Sequence, residues 1–324
     1  MRAIQISNYD GPAAITLNEI ERPTSGKGQV LIEVRAAGVA FPELLQTRGQ
    51  YQMKPPLPYV PGAEVSGVVV EAPSGSAFSP GDRVAALCLV GGFAEFAVAA
   101  LDMTFPLPDS MSFEQGAAFL FNYLTAEFAL VQRGRLAPGE TVLVHGAAGG
   151  VGTAAIQVAK AFGAGNVIAV VSSKQKGGIA TAAGADHIVM VDGFKDAVKE
   201  LTGGRGVDLV VDPVGGDRFT DSLRSLHADG RLLVIGFTAG EIPTVQVNRL
   251  LLNNIEVVGV GWGAYALSRP GFIASQWERM QPHLLAGEFR PPVGSTFALE
   301  DTKDALLAID ERRAVGKVVL SVRA

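Results

Sequence analysis

A glycine-rich segment near the middle of the chain has the composition of a phosphate-binding loop. It reads VLVHGAAGGVG, residues 142–152, and a run of small and aliphatic residues, GTAAIQVAKAFGA, continues from it. The pattern predicts a buried strand, a tight turn and a helix. Glycines in such a turn let the backbone approach an anion, and the helix N-terminus supplies free N–H groups and the positive end of the helix dipole.

The surroundings of this loop favour a dinucleotide site over a purely conformational turn. The loop is a G-x-x-G-x-x-G variant, residues 146–152, rather than the literal G-x-G-x-x-G. It opens a series of apolar runs at intervals typical of alternating strands and helices: TVLVH, NVIAVV, HIVMV, VDLVVD, RLLVIG and IEVVGV. Six such runs predict a doubly wound, six-stranded parallel sheet. In that context we expect the dinucleotide phosphates at Gly149, Gly150, Val151 and Gly152.

The end of the second predicted strand indicates which dinucleotide is bound. NAD sites usually place Asp or Glu there, on the ribose 2′-hydroxyl. Here the text is SSKQK, residues 172–176, and the first acid after it is Asp186. Hydroxyl and ammonium groups donate charge-assisted hydrogen bonds to a 2′-phosphate, so we predict NADPH (NADP+), held by Ser172, Ser173 and Lys176. The alternative is a solvated helix start with two exposed lysines.

Composition and net charge exclude several classes of protein. The 324 residues suffice for two domains, and 48 % hydrophobic with 18 % charged residues is ordinary for a soluble globular enzyme. A net charge of −5 without a basic cluster argues against nucleic acid. The uncharged stretch 141–159 contains several glycines, so we expect neither a membrane span nor a signal peptide. A single cysteine excludes an internal disulfide, and we expect a reducing, cytoplasmic location.

The pattern of the sequence changes near residue 121. Before it, β-type runs alternate with Gly and Pro turn signals, as in GQVLIEVRAAG, AEVSGVVVEA, GDRVAALCLV and FAEFAVAA. We therefore predict a β-rich domain over 1–121 and a dinucleotide-binding domain over 122–261. Residues 262–324, with two predicted helices and a closing strand, are expected to return to the first domain.

Several segments resemble the medium-chain dehydrogenase/reductase superfamily and, within it, the zinc-free NADPH:quinone oxidoreductase family related to zeta-crystallin. They are AAGVAFPELLQTRGQYQMKPPLPYVPGAEVSGVV, FNYLTAEFAL, VLVHGAAGGVG, VVDPVGGDRF, RLLVIGFTAGEIP and VVGVGWGAY. The resemblance covers essentially the whole chain. It implies an α/β protein with a GroES-like β-rich catalytic domain and a Rossmann NADPH-binding domain.

The resemblance also implies that the chain uses no metal. Zinc alcohol dehydrogenases of the superfamily carry a metal-binding His in a G-H-E-x-x-G motif and a Cys upstream, where this chain has Ala63 and Ala40. Zinc needs three or four Cys, His or carboxylate ligands, and the chain has one Cys and four His. We expect Glu64, which follows Ala63, to make a structural hydrogen bond. Many family members have Asn in place of Ala40, which leaves the substrate preference open.

The resemblance assigns residues to the nicotinamide end of the cofactor. It places Thr125 beside the nicotinamide, although a helix N-cap or a helix-interior threonine is the alternative. Segments after the fifth and sixth strands would present backbone groups to the carboxamide, through Phe237, Val260 and Trp262. Both segments follow the rule that ligands bind at the carboxyl ends of parallel strands.

The substrate pocket is assigned in the same way. Tyr51 would stack on a planar acceptor or donate its hydroxyl to the reduced oxygen, with a surface tyrosine as the alternative. Ala40 and Phe41 would line the same pocket, with a core residue as the alternative for Phe41. His145, beside the phosphate loop, is expected to be a hydrogen-bonded structural residue.

These assignments imply hydride transfer from NADPH to a quinone or a similar conjugated carbonyl. Two alternatives remain open: reduction of the C=C bond of an enone or 2-enoyl thioester, and a non-catalytic NADPH-binding structural or sensor protein. The last Rossmann strand, about residues 255–262, is an apolar edge that invites pairing with another chain. Family members pair this edge across a two-fold axis, so we predict a homodimer.

Overall fold

The computed structural model describes residues 1–323, whose contacts divide into two units. The first unit comprises residues 1–121 and the segment that begins at Pro291, and the second comprises Asn122–Arg290. The strands are β1 (Arg2–Gln5), β2 (Thr16–Glu19), β3 (Gln29–Val39), β4 (Glu64–Glu71), β5 (Arg83–Leu87), β6 (Phe96–Ala100), β7 (Thr104–Pro106), β8 (Thr141–Val144), β9 (Asn166–Val171), β10 (His187–Met190), β11 (Val207–Asp212), β12 (Leu226–Val234), β13 (Glu256–Gly259), β14 (Val293–Ala298) and β15 (Lys317–Ser321).

In this part of the chain eleven α-helices connect the strands, and a π-helical segment, Phe128–Arg133, continues the third helix. The helices are α1 (Phe41–Thr47), α2 (Phe113–Gly116), α3 (Leu120–Glu127), α4 (Gly150–Ala161), α5 (Lys174–Ala182), α6 (Phe194–Leu201), α7 (Phe219–Arg224), α8 (Val247–Asn253), α9 (Trp262–Leu267), α10 (Phe272–Leu285) and α11 (Thr302–Asp310). None of the helices within residues 1–323 has the length and apolar character that crossing a membrane requires.

The second unit contains a six-stranded sheet in the order β10-β9-β8-β11-β12-β13. All five neighbouring pairs are parallel. The central strands β8 and β11 are buried along their whole length, because parallel sheets carry helices on both faces. This order confirms the predicted doubly wound sheet, with its strand-order reversal at β8.

The first unit is built on a seven-stranded sheet in the order β14-β15-β3-β4-β5-β7, and β6 pairs with β3 outside this path. The long strand β3 pairs antiparallel with β15, β4 and β6. Its buried side chains, such as Val30, Ile32 and Val34, belong to the main core of this unit. This β-rich unit agrees with the fold expected of a GroES-like domain.

The segment 262–290, which we predicted with the C-terminal return, has its contacts inside the second unit. Helix α10 explains the difference. The Gln276 amide donates to the carbonyl of Leu124 at 2.9 Å, and the ring of Phe272 packs edge-on against Phe128 with centroids 5.9 Å apart. These buried contacts hold α10 against α3 and the π-helical segment, so the return to the first unit begins at Pro291.

A buried ion pair fastens the C-terminal strand into the first unit. Lys317, at the start of β15, is 3 % exposed and donates to the carboxylate of Glu64, which is 2 % exposed, on β4. The other Glu64 oxygen accepts from the backbone N–H of Phe121 at 2.9 Å. Glu64 therefore makes structural hydrogen bonds, and each of its oxygens has a donor.

Replacing Lys317 by Ala should lower the free energy of unfolding by about 3–5 kcal/mol, because it leaves the Glu64 carboxylate buried without its counter-ion. Urea denaturation followed by circular dichroism measures the change. The double variant Lys317→Met, Glu64→Gln should recover most of the loss, since it removes both charges. Lys303→Ala on the exposed face of α11 is the control, and an equal loss in that variant would contradict the prediction.

Candidate functional site

The carboxyl edge of the six-stranded sheet gathers the loops in which we predicted the cofactor site. Hydrogen bonds join neighbouring loops and strand ends along this edge. The N–H of His145, after β8, donates to the Val211 carbonyl at 3.0 Å, and the N–H of Val260, after β13, donates to Val234 at 2.9 Å. The N–H of Ile235, after β12, donates to the Asp212 carbonyl at the end of β11 at 2.9 Å. The ends of β8, β11, β12 and β13 are therefore connected along one edge, and the predicted residues 149–152, Phe237 and Val260 follow these strands.

The glycine-rich loop leads directly into the start of α4. The helix begins at Gly150, and its N-cap, Gly149, supplies no side-chain acceptor. The N–H groups of the first helical turn have no intrahelical acceptor either. Gly146 has a φ of +58°, and a Cβ on Gly152 would lie 2.2 Å from the Gly146 carbonyl oxygen. Glycine is thus required at both positions for the loop to fold directly onto the helix.

The end of β9 carries the residues predicted for the 2′-phosphate. Ser172 is exposed, and Ser173 is the N-cap of α5, where its hydroxyl oxygen accepts from the N–H of Lys176 at 3.3 Å. The hydroxyl hydrogen of Ser173 is not used in that bond. Because β9 lies next to β8 in the sheet, these side chains lie on the same edge as the glycine-rich loop. Asp186 lies beyond α5 and pairs with Lys160 at 3.0 Å.

Thr125 lies within α3 and is 6 % exposed, so it is not the N-cap of that helix. Its helix is joined to Trp262 by the fully buried amide of Gln276. That amide donates to the Leu124 carbonyl at 2.9 Å, and its oxygen accepts from the indole N–H of Trp262 at 2.8 Å. The structure therefore brings α3 and Trp262 into one hydrogen-bonded cluster.

The same cluster contains a buried acid that the sequence did not single out. Glu127 is fully buried, and its carboxylate accepts from Gln276 and from Arg279 at 2.7 Å. Gln276 and Glu127 lie on helices with ordinary mixtures of polar and apolar residues. Gln276 and Glu127 are 149 positions apart in the sequence, and therefore no local pattern could have indicated that they are partners.

His145 is a structural residue, as its position beside the phosphate loop led us to expect. The Ser222 hydroxyl donates its hydrogen to the Arg218 carbonyl at 3.0 Å. In the 2.8 Å contact between Ser222 and His145 Nε2, the imidazole N–H is therefore the donor and the hydroxyl oxygen is the acceptor. Burial, with a smaller effect of the Arg218 charge, lowers the pKa of His145 to about 3. The ring is neutral at physiological pH, and its tautomer is fixed by Ser222.

The first unit holds the residues predicted for the substrate pocket. Ala40 is the N-cap of α1, Phe41 is its first residue, and both are half-buried. Tyr51 follows α1 and is also half-buried. Burial raises the pKa of the Tyr51 hydroxyl, and the neighbouring charge of Glu43 raises it further. The neutral phenol is therefore the dominant form around neutral pH, and it can donate a hydrogen bond.

Glu43 is a buried acid beside this pocket that the sequence analysis missed. It is 2 % exposed, and its two carboxyl oxygens accept from the N–H groups of Ala40 and Ala63, each at 3.0 Å. Burial raises the pKa of Glu43 to about 7, against the opposing effects of the Lys317 charge and the backbone hydrogen bonds. One carboxyl thus cross-links the two positions at which zinc dehydrogenases have ligands. An acid three residues after a helix N-cap is the signal that could have indicated it.

A metal site would need several ligands close together. Over residues 1–323, no group of three or more His, Cys, Asp or Glu side chains has the arrangement to hold a metal ion.

Comparison with known proteins places both units in one superfamily. The alcohol dehydrogenase GroES-like domain matches residues 26–109, and a domain described as zinc-binding dehydrogenase matches residues 150–278. Quinone oxidoreductase-like protein 2 of Rattus norvegicus is 39 % identical over 95 % of this chain and 89 % of its own length.

Quinone oxidoreductases themselves show the same similarity. The Homo sapiens protein is 32 % identical over 99 % of this chain and 97 % of its own length. A quinone oxidoreductase from Thermus thermophilus, solved also in complex with NADPH, has a TM-score of 0.86. It is 33 % identical and covers 99 % of this chain and 100 % of its own. The chain is therefore an oxidoreductase and belongs to the quinone oxidoreductase family of the medium-chain dehydrogenase/reductase superfamily.

Proposed function

We propose that this protein is an NADPH-dependent, zinc-independent reductase that transfers hydride to a quinone or a similar conjugated carbonyl. The observation that carries the proposal is the open N-terminus of α4. It lies at the carboxyl edge of a parallel sheet and next to a strand that ends in Ser172 and Ser173. The NADPH complex of the Thermus thermophilus relative supports the choice of cofactor.

The residues of the second unit fit NADPH. The free N–H groups of Gly150, Val151 and Gly152 would hold the pyrophosphate, because they combine unsatisfied donors with the positive end of the α4 dipole. Ser172, Ser173 and Lys176 would donate to the 2′-phosphate. When bound, the nicotinamide supplies the hydride.

The nicotinamide end of the cofactor would be oriented by α3 and by the loops after β12 and β13. We assign this role to Thr125 and Trp262, together with backbone groups at Phe237 and Val260. Gln276 supports them, since its amide joins the Leu124 carbonyl to the Trp262 indole. Orientation of this kind lowers the barrier by proximity, without a group that reacts covalently.

The acceptor would bind against Ala40, Phe41 and Tyr51 of the first unit. With alanine at positions 40 and 63, the two zinc-ligand positions of the zinc dehydrogenases provide no side-chain ligand. A hydrogen-bond donor then has to stabilise the negative charge that develops on the reduced oxygen. We assign that donor to the Tyr51 hydroxyl.

We also propose a cytoplasmic homodimer formed through β13. This strand is at the end of the sheet, so one side of its backbone has no neighbouring strand to pair with among the described residues. Four large apolar side chains, from 70 to 76 % exposed, lie on α8 and the segment before it: Ile242, Val247, Leu251 and Leu252. A second copy that extends the sheet at β13 would cover such a surface.

Replacing Gly152 by Ala should lower the affinity for NADPH by at least about 30-fold, which is about 2 kcal/mol. The added Cβ would lie 2.2 Å from the Gly146 carbonyl oxygen and would displace the loop from the helix. Fluorescence titration of the purified protein measures the affinity. Gly178→Ala in α5 is the matched control, because its Cβ would meet no atom within 4 Å. Unchanged binding in Gly152→Ala would contradict the assignment of the phosphate loop.

Purified protein should oxidise NADPH in the presence of a quinone, and a metal chelator should leave the rate unchanged. We expect kcat/KM with NADPH to exceed that with NADH by about tenfold or more, because the 2′-phosphate adds charge-assisted hydrogen bonds. Parallel assays would use an ortho-quinone, a para-quinone, an enone and a 2-enoyl thioester. Faster turnover of the thioester would move the function to C=C reduction. Tight NADPH binding without turnover of any acceptor would favour the non-catalytic alternative.

Light scattering at micromolar concentration should give twice the mass of one chain. The double variant Leu251→Asp, Leu252→Asp should be monomeric, because it buries two charges in the proposed interface. Leu285→Asp, a substitution of a similarly exposed leucine at the end of α10, is the control and should remain dimeric. A monomeric wild-type protein would overturn the proposed assembly.

A further inference from the structure

The loop that follows β11 lies between two loops to which we assign the cofactor. We call residues 213–216 the β11 loop and residues 235–246 the β12 loop; the other neighbour is the glycine-rich loop, residues 146–152. In the sheet, β11 pairs with β8 on one side and with β12 on the other. The β11 loop is therefore placed to connect the proposed phosphate-binding end of the site with the proposed nicotinamide-binding end.

Hydrogen bonds join the β11 loop to the β12 loop. The N–H of Thr238 donates to the Pro213 carbonyl at 3.2 Å. The N–H of Ala239 donates to the Val214 carbonyl at 3.0 Å. The backbone of the β12 loop is thus fixed to carbonyl groups whose own position depends on the β11 loop.

Two glycines let these loops pack closely. Gly215 and Gly216 have φ values of +66° and +70°, in the left-handed region that other residues rarely adopt. A Cβ on Gly215 would lie 3.0 Å from the ring of Phe237, and a Cβ on Gly216 would lie 2.9 Å from the Cβ of Ala239. The two loops therefore leave no space for a further side chain between them.

The β11 loop also lies against the glycine-rich loop. A Cβ on Gly146 would lie 3.2 Å from Cγ2 of Val214 and 3.6 Å from Cγ of Pro213. Val214 thus packs beside the glycine-rich loop with its side chain and holds the β12 loop with its carbonyl. A shift of the β11 loop would change the distance between its two neighbours.

The side chain of Asp212 fixes the turn of the β11 loop. Asp212 is 1 % exposed, and one of its carboxyl oxygens accepts from the N–H groups of Val214 and Gly215, each at 2.9 Å. Burial raises the pKa of Asp212, against the opposing effects of these two N–H groups and of the Arg218 charge. The backbone donors thus offset part of the cost of burying the carboxylate, and the carboxylate holds the turn closed.

We propose that Asp212 is a positioning residue that sets the distance between the glycine-rich loop and the β12 loop. This inference rests on the proposed function, in which the first of these loops holds the pyrophosphate and Phe237 orients the nicotinamide. Asp212 would act through the backbone of the β11 loop. Without its carboxylate the carbonyls that receive Thr238 and Ala239 lose their fixed position, whereas the N–H groups of α4 keep theirs. The nicotinamide would then be oriented poorly while the phosphates stay bound.

The first measurement is amide hydrogen exchange of the cofactor-free protein, followed by mass spectrometry. Asp212→Ala should increase the exchange rate of peptides containing Thr238 and Ala239 by about tenfold, and that of peptides from α4 by less than about twofold. Asp212→Asn keeps the acceptor oxygen and should exchange as the wild type does. Asp217→Ala, a substitution of a nearby exposed acid, is the control. Unchanged exchange of the β12 loop in Asp212→Ala would overturn the proposal.

The second measurement compares binding with turnover. Adenosine 2′,5′-bisphosphate is the probe, because it carries the 2′-phosphate and a 5′-phosphate but no nicotinamide. In Asp212→Ala its affinity should stay within about twofold of the wild-type value, whereas kcat with NADPH and a quinone should fall by about tenfold or more. Asp212→Asn should recover kcat. Equal losses of bisphosphate affinity and kcat would show that Asp212 is merely structural.

A second variant keeps the proposal falsifiable if Asp212→Ala does not fold. Gly216→Ala would displace the β12 loop at Ala239 and should lower kcat with little effect on the bisphosphate. A Gly216→Ala protein with wild-type kcat would overturn the proposal.

The measurements also separate this inference from the proposed function. A wild-type protein that binds the bisphosphate but reduces no acceptor would refute the proposed function, and the exchange rates would still decide the role of Asp212. Normal turnover of a quinone by the wild type, together with wild-type exchange and kcat in Asp212→Ala, would refute the positioning role alone.

Discussion

The second unit depends on how the first N–H groups of α4, which have no acceptor within their own helix, are satisfied. Such groups have to be satisfied by a side chain, by water or by a ligand, and the N-cap glycine of α4 supplies no side-chain acceptor. The parallel sheet places this helix start beside the ends of the neighbouring strands, and the glycines at 146 and 152 allow the loop to pass close enough. Sheet order, loop composition and helix position all support the anion site that we propose at the start of α4.

Buried, hydrogen-bonded amide side chains hold several helices of the second unit in position. Gln276 joins α3, α9 and α10 through three hydrogen bonds. Gln157 on α4 accepts from the Tyr123 hydroxyl at 2.7 Å and bonds the backbone of Arg290. Leaving a buried amide without hydrogen-bond partners destabilises a protein by more than a satisfied hydrogen bond stabilises it. These side chains therefore determine the relative placement of helices that apolar packing alone would leave less well defined.

The sequence was sufficient to predict the features that depend on residues close together in the chain. The six apolar runs became β8 to β13, since a parallel strand buried on both faces is apolar throughout. The predictions for the loop at 146–152 and for the serines at 172 and 173 likewise rest on their neighbours in the chain. Gln276 and the boundary at Pro291 could not be predicted, because each depends on contacts between residues far apart in sequence. Glu43 gave a partial signal, as an acid three residues after the N-cap of α1, but its second partner, Ala63, is 20 positions away. Lys317 gave a partial signal, as a charged residue at the start of the apolar strand KVVLS.

The position of β15 has a consequence for how the protein is made. The first unit is discontinuous in the chain, and β15, at the C-terminus, lies between β14 and β3 in its sheet. Until this strand is synthesised, β3 lacks one of its three neighbouring strands, and Glu64 lacks the Lys317 ammonium. The second unit is continuous, and its last residue precedes β14. During translation the central domain can therefore fold before the N-terminal domain is complete, which reverses the usual N-to-C order of domain folding on the ribosome.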